Sequence, residues 1–233
     1  MAKCRGSVVV NPSDYARWRA SSFGQLTERL EQEVIFELAG DVHGRSVLDA
    51  GCGDGSYSIL AWTRGARVWG VDSSPAMLEA ACRWAQSFGA HIEFCRTSME
   101  QLPFGSGVFD VVIAVTALCF VKDPQRAVLE AARVLRPGGR LIIGELGKYS
   151  LWALFRRLRG WFGASTWRKA RFWTVGSLRR LIEQAGLHFH SVRGCVYYPP
   201  IEPAARLMVK ADRVLSHLGS VGAAFLAVRA GKV

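Results

Sequence analysis

The chain has 233 residues, half of them apolar, and a formal charge of +11 from 30 Lys and Arg against 19 Asp and Glu. That length suits one domain with a sizeable core, and no apolar run approaches the roughly 18 residues of a membrane span. Six scattered cysteines form no CxxC pair and five histidines show no ligand spacing, so zinc is not expected and free thiols in a reducing, cytoplasmic setting are.

Lys3 and Arg5 are followed by only Val8-Val9-Val10 before Asn11-Pro12, which is no secretory signal. Leu26, Leu30, Val34, Ile35 and Leu38 predict a helix over 13–39, ended by Gly40 and Gly44. Strands and helices then alternate. Strands are expected at 46–50, 67–71, 91–95, 108–115 and 140–146, with helices at 56–63, 75–88 and 123–135 between them. The strand at 108–115 is nearly all apolar, as a strand covered on both faces should be. Such alternation predicts an α/β fold, a Rossmann-like and mostly parallel sheet with helices on both faces. After Leu146 the rhythm breaks at a basic, Trp-rich insert, 148–173. A helix at 175–185, a strand at 188–198, a helix at 203–218 and a strand at 223–229 follow. The last two strands are expected to pair antiparallel at one end, which makes a seven-stranded sheet with an antiparallel final strand. No internal repeat or linker divides the chain, so 1–233 reads as a single domain.

The first strand runs into "VLDAGCGDGS", residues 47–56. In open α/β sheets ligands bind beyond the carboxyl ends of the strands, so this turn lines a site. The spacing is GxGxG, neither a dinucleotide fingerprint nor a phosphate loop. Two acids, Asp49 and Asp54, would repel phosphate. The next strand ends at Asp72, where an acid can take both hydroxyls of a ribose, although it can also cap the following helix. A ribose joined to a cationic amino-acid tail, without phosphate, fits this pair of strand ends. S-adenosylmethionine has those features.

With "VWGVDSSPAML", "LPFGSGVFDVVIA", "FVKDP" and "ARVLRPGGRLII" in order behind that turn, the sequence resembles the class I S-adenosylmethionine-dependent methyltransferases. It is most similar in pattern to small bacterial members acting on quinols, lipids and other small molecules. The resemblance implies a methyltransferase with S-adenosyl-L-methionine as cofactor. Asp49, Gly51 and Gly53 would lie at its methionine end, and Asp72, Ser73 and Met77 at the ribose. Ser98 and Met99 would lie at the adenine, with Val115 closing the pocket. Ser98 stands where the family often has an acid, and Phe120 where many relatives carry histidine. Met77 can equally be a core residue.

Displacement at a sulfonium needs no acid, because the leaving group departs neutral. Alignment is the main requirement, and a base matters only if the acceptor loses a proton. Candidates on the acceptor side are Glu145, Tyr15, Trp18, Cys119, Tyr149 and Trp152, with Glu145 and Tyr15 the weak catalytic candidates. Tyr15 and Trp18 belong to an N-terminal helix that in this family often forms a lid. From Lys148 to Ile182 there are nine basic residues and no Asp or Glu. Leu151, Leu154, Phe155, Leu158 and Phe162 repeat at three and four among the arginines, an amphipathic pattern. The insert can be a packed helix with a solvated basic face, a peripheral membrane contact, or a nucleic-acid surface. The last ranks lowest because no RNA-binding module flanks the fold. The partner expected is therefore a small-molecule or lipid acceptor. Alternatives are a non-catalytic ligand- or membrane-binding protein on the same fold, or an RNA methyltransferase.

Overall fold

The computed structural model describes residues 17–161 and 170–233. Its strands are β1 (Ser46–Ala50), β2 (Arg67–Asp72), β3 (Ile92–Arg96), β4 (Phe109–Val115), β5 (Leu135–Leu146), β6 (His188–Cys195) and β7 (Phe225–Gly231). They form one sheet in the order β3-β2-β1-β4-β5-β7-β6. Pairing is parallel from β3 to β5, and β7 runs antiparallel to both β5 and β6. The strand order reverses between β1 and β4, so the turns after these two strands open a crevice at their carboxyl ends.

The helices are α1 (Ser22–Ala39), α2 (Ser56–Thr63), α3 (Pro75–Ser87), α4 (Pro124–Val134), α5 (Leu151–Trp161), α6 (Val175–Gln184) and α7 (Glu202–Leu218). α4 and α6 pack on one face through Ala127, Val128, Ala131, Leu178 and Ile182. On the other face lie Leu30, Val34 and Ile35 of α1, Tyr57 of α2 and Ala205 of α7. Both layers press on β4, which is buried along its whole length. Local chemistry sets the helix starts. Ser74 and Asp123 accept the N–H of Met77 and Arg126 as N-caps, each followed by Pro. Thr174 and Ser177 form a reciprocal capping box on α6. No helix among the described residues is long and apolar enough to cross a membrane.

Several boundaries differ from the sequence expectation, each for a local reason. The N-terminal helix is interrupted. A helical turn at 17–20 ends at Ser21, whose Oγ accepts the Gly24 N–H and caps α1. β5 starts at Leu135 rather than 140, because Leu135 pairs with Phe109 before a register shift admits the Pro137-Gly138-Gly139 turn. β6 stops at Cys195 because Val196 adopts φ 62°, outside extended geometry. Asp212 of α7 holds that kink, accepting the N–H groups of Val196 at 2.9 Å and Tyr197 at 2.6 Å. The kink delivers Tyr198 beneath α5, where its carbonyl accepts Trp152 Nε1–H at 2.9 Å. Replacement Asp212→Ala leaves buried donors unmet and is expected to cost about 1–3 kcal/mol, measured by urea denaturation. Asp212→Asn keeps an acceptor oxygen and is expected to cost less.

Candidate functional site

The turn after β1 is built on left-handed glycines, with Gly51, Gly53 and Gly55 at φ 83°, 55° and 86°. The Gly51 and Cys52 N–H groups both donate to the Val71 carbonyl, at 2.8 and 2.9 Å, folding the turn over the tip of β2. A Cβ on Gly51 would stand 2.5 Å from Cβ of Ala117 in the loop after β4, whereas one on Gly53 would meet nothing within 4 Å. Gly51 therefore serves close packing, and Gly53 borders open space.

Asp72 joins two turns. Its Oδ2 accepts the Gly53 N–H at 2.9 Å and its Oδ1 the Ser74 N–H at 2.8 Å. Burial raises its pKa, and the N–H groups of Ser74 and Gly53 oppose that shift. Asp49 is almost completely buried, and its Oδ2 accepts Ser58 Oγ–H at 2.6 Å. Burial pushes Asp49 up to about 7, Ser58 opposes, and the charges of Asp72 and Asp54 add to the rise. The Thr97 N–H donates to the Asp72 carbonyl at 3.1 Å, so Ser98 and Met99 follow directly beside this corner. Ser98 Oγ donates to Glu100 Oε2 at 2.9 Å and accepts the Glu100 N–H at 3.2 Å, so both its hydrogen and one lone pair are taken by Glu100. Met77, Met99 and Val115 are buried, and Ser73 is exposed.

The second acid of the glycine turn has a partner that sequence reading missed. Arg19 Nη2 lies 2.6 Å from Asp54 Oδ1, and its Nε 3.1 Å from Glu28 Oε2. The guanidinium also covers Trp84 at 4.5 Å from the ring centroid. The turn at 17–20 thus sits against the glycine turn, where the lid was expected. The signal was Asp54 itself, since a largely buried acid calls for a cation. Trp18 is half-buried and its carbonyl accepts Ser21 Oγ–H at 2.6 Å. Tyr15 lies outside the described residues.

On the other side of the crevice, Glu145 is fully buried and its Oε1 accepts the Leu118 N–H at 2.6 Å. Among the described residues its Oε2 has no hydrogen-bond partner within ordinary geometry, although the Cys119 thiol lies close enough to lower its pKa. Burial raises the group to about 8. Cys119 is buried, its thiol donating to the Thr116 carbonyl at 3.2 Å. Burial, and then the Glu145 charge, push the thiol pKa up. Trp152 stacks on Phe23 with centroids 5.5 Å apart and planes 11° apart. Tyr198, whose OH is 3.0 Å from Thr27 Oγ1, completes this aromatic wall. Arg156 lies 4.9 Å from the Trp152 ring centroid. Burial lowers Arg156 to about 10, against the opposing charge of Glu31, and burial raises Glu31 to about 8, against Arg156. The predicted apolar stripe of α5 is therefore not its inner face. Trp152 and Ala153 are buried, while Leu151, Leu154, Phe155 and Leu158 are 41–56% exposed. One tryptophan with a stacked ring and a satisfied indole N–H orients the helix more strongly than the leucines. Tyr149 stays 70% exposed, with Lys148 Nζ 5.6 Å from its ring centroid.

Residues 48–143 match the methyltransferase domain family. The chain is 30% identical over 178 residues to the ubiquinone biosynthesis O-methyltransferase of Alkalilimnicola ehrlichii, covering 73% of this chain and 71% of that protein. An S-adenosylmethionine-dependent methyltransferase of Thermotoga maritima shares the fold with a TM-score of 0.73 and 24% identity over 95% of each chain. So does the geranyl diphosphate C-methyltransferase of Streptomyces coelicolor, solved with S-adenosyl-L-homocysteine, with a TM-score of 0.65, 20% identity and coverage of 88% of this chain and 79% of that one. Fold and family define a Rossmann-like enzyme with a crevice at the β1/β4 switch. The chain belongs to the class I S-adenosylmethionine-dependent methyltransferases, and S-adenosylmethionine is its methyl donor.

Asp49, Glu31 and Glu145 keep their protons well above the usual carboxylate range in the folded state. The unfolded chain releases them near pH 4. The native state therefore holds more protons between about pH 4 and 8, and stability falls as pH rises through that window. Urea titrations are expected to give a lower midpoint at pH 8 than at pH 5. Asp49→Asn is expected to remove at most about 1.4 kcal/mol per pH unit of that decline between pH 5 and 7.

Proposed function

We propose that the enzyme methylates a small hydrophobic acceptor carrying an acidic or anionic group, such as a quinol or lipid. The observation that carries this is the aromatic cluster beneath α5, where Phe23, Trp152 and Tyr198 pack with Arg156 across the Trp152 ring. Aromatic faces suit a flat apolar body, and Arg156 remains a cation at neutral pH. The name of the Alkalilimnicola relative, a ubiquinone biosynthesis O-methyltransferase, agrees with such an acceptor.

The strand tips suit the donor. When bound, S-adenosylmethionine supplies an electrophilic methyl group on a sulfonium. Asp49 and the Gly51–Gly53 backbone would hold its amino-acid end, since Asp49 is a buried acid whose ionisation a cationic ammonium would favour. Asp72, oriented by two N–H groups, would take the ribose hydroxyls, beside Ser73 and Met77. Ser98 and Met99 would flank the adenine, and Val115 would close the floor. Glu145 is held by the loop after β4. Its bond to the Leu118 N–H holds the loop after β4 against the glycine turn, a positioning role.

Asp49 ionises fully only above about pH 7, so calorimetry is expected to show S-adenosylhomocysteine binding about tenfold tighter at pH 8 than at pH 6. Asp49→Asn is expected to bind weakly with a flat profile. Asp72→Ala is expected to weaken binding by about 1–3 kcal/mol. Acceptor class is tested by incubating the enzyme and a deuterated-methyl donor with fractionated cell extract, followed by mass spectrometry. The heavy methyl is expected in a small molecule of the solvent-soluble fraction. Label confined to RNA, or binding with no label transferred to any fraction, overturns the reading.

A further inference from the structure

α5 turns its apolar ridge outward. Leu151, Leu154 and Leu158, spaced at three and four residues, are 56%, 56% and 43% exposed, whereas Trp152 on the inner side is buried. A helix on a water-soluble surface normally has the reverse arrangement. Tyr149 extends the ridge at its start. Ile201, 57% exposed, stands nearby, because the bond from Trp152 to Tyr198 ties α5 to the segment leading into α7. Exposed cations border the ridge. Lys148, Arg157 and Arg171 lie over the rings of Tyr149, Phe172 and Trp173 at 5.6, 5.1 and 5.5 Å from the centroids. No Asp or Glu occurs between Lys148 and Ile182 to offset them.

We propose that this face of α5 docks on an anionic phospholipid surface. Leucines would enter the headgroup boundary, and Lys148, Arg157 and Arg171 would meet lipid phosphates. Charge selects the occupant, since a neutral apolar partner would leave a row of cations unmatched. The opposite side of the same helix carries Trp152 and Arg156 in the acceptor wall. Docking would therefore set the acceptor crevice against the bilayer, where a lipid-soluble acceptor resides. That consequence rests on the acceptor proposed above, whereas docking itself does not.

Flotation of the full chain with phosphatidylcholine vesicles, with and without phosphatidylglycerol, tests it. Anionic vesicles are expected to carry about tenfold more protein than neutral ones, with a marked loss in high salt. The Leu154→Glu/Leu158→Glu variant alters only exposed positions. It is expected to abolish flotation while keeping the wild-type affinity for S-adenosylhomocysteine, which shows that the fold and donor site are intact. Equal background recovery with both vesicles overturns the proposal, as does flotation that survives the double variant. A dimer that the same variant dissolves, or capture by RNA in place of vesicles, also overturns it. Methyl transfer to extracted small molecules is measured without vesicles, so failure of docking and failure of the acceptor reading are separate results.

Discussion

The Asp72 carboxylate accepts one N–H from each of two successive β–α turns, Gly53 in the first and Ser74 in the second. Neither turn can move without breaking a charge-assisted hydrogen bond in a half-buried place. The Val71 carbonyl, taking the Gly51 and Cys52 N–H groups, ties the same corner from the backbone side. Thr97 then hangs the turn after β3 on the Asp72 carbonyl. Three strand tips thus share one anchor, and the crevice beyond them is preformed.

That anchor also accounts for the crowding of acids. Burial raises Asp49 most, and the charges of Asp72 and Asp54 add to that rise. Each is relieved differently. Asp72 uses backbone N–H groups, Asp49 a serine hydroxyl, and Asp54 the Arg19 guanidinium. Only Asp49 is left without a formal charge or a pair of backbone donors, so it is the acid most in need of an incoming cation. Arg19 bridges the N-terminal turn to the glycine turn and to Glu28 of α1. The acids at the strand tips and the seating of the N-terminal turn are therefore one network.

What the sequence made legible is what is local. Apolar runs bounded by glycine and proline placed β1, β4, α2 and α3 within a residue or two. The glycine spacing and the acids at two strand ends picked out the turns that border the crevice at the β1/β4 switch. Features set by partners far along the chain were hidden. Asp54 finds Arg19 across 35 residues. The inner face of α5 is chosen by Trp152, whose carbonyl partner is 46 residues away, so a count of leucines along the helix could not decide which side faces inward. The end of β6 depends on Asp212, from a helix that comes later in the chain. No periodicity in 188–198 carries that information.

The position of β7 has a consequence for the order of assembly. Although it follows β6 in the chain, it lies between β5 and β6 and pairs with both. β6 has no place in the sheet until the strand behind it is seated, so α6, β6 and α7 join the parallel half only through contacts of long sequence separation. In the half bearing β1 to β4, β2 pairs with its chain neighbours β1 and β3, whereas β4 reaches back to β1, Val111 lying opposite Val47. Tyr198, and with it the seat of Trp152, belongs to the late half. The seat of Trp152 therefore depends on a segment 46 residues further along the chain, beyond β6.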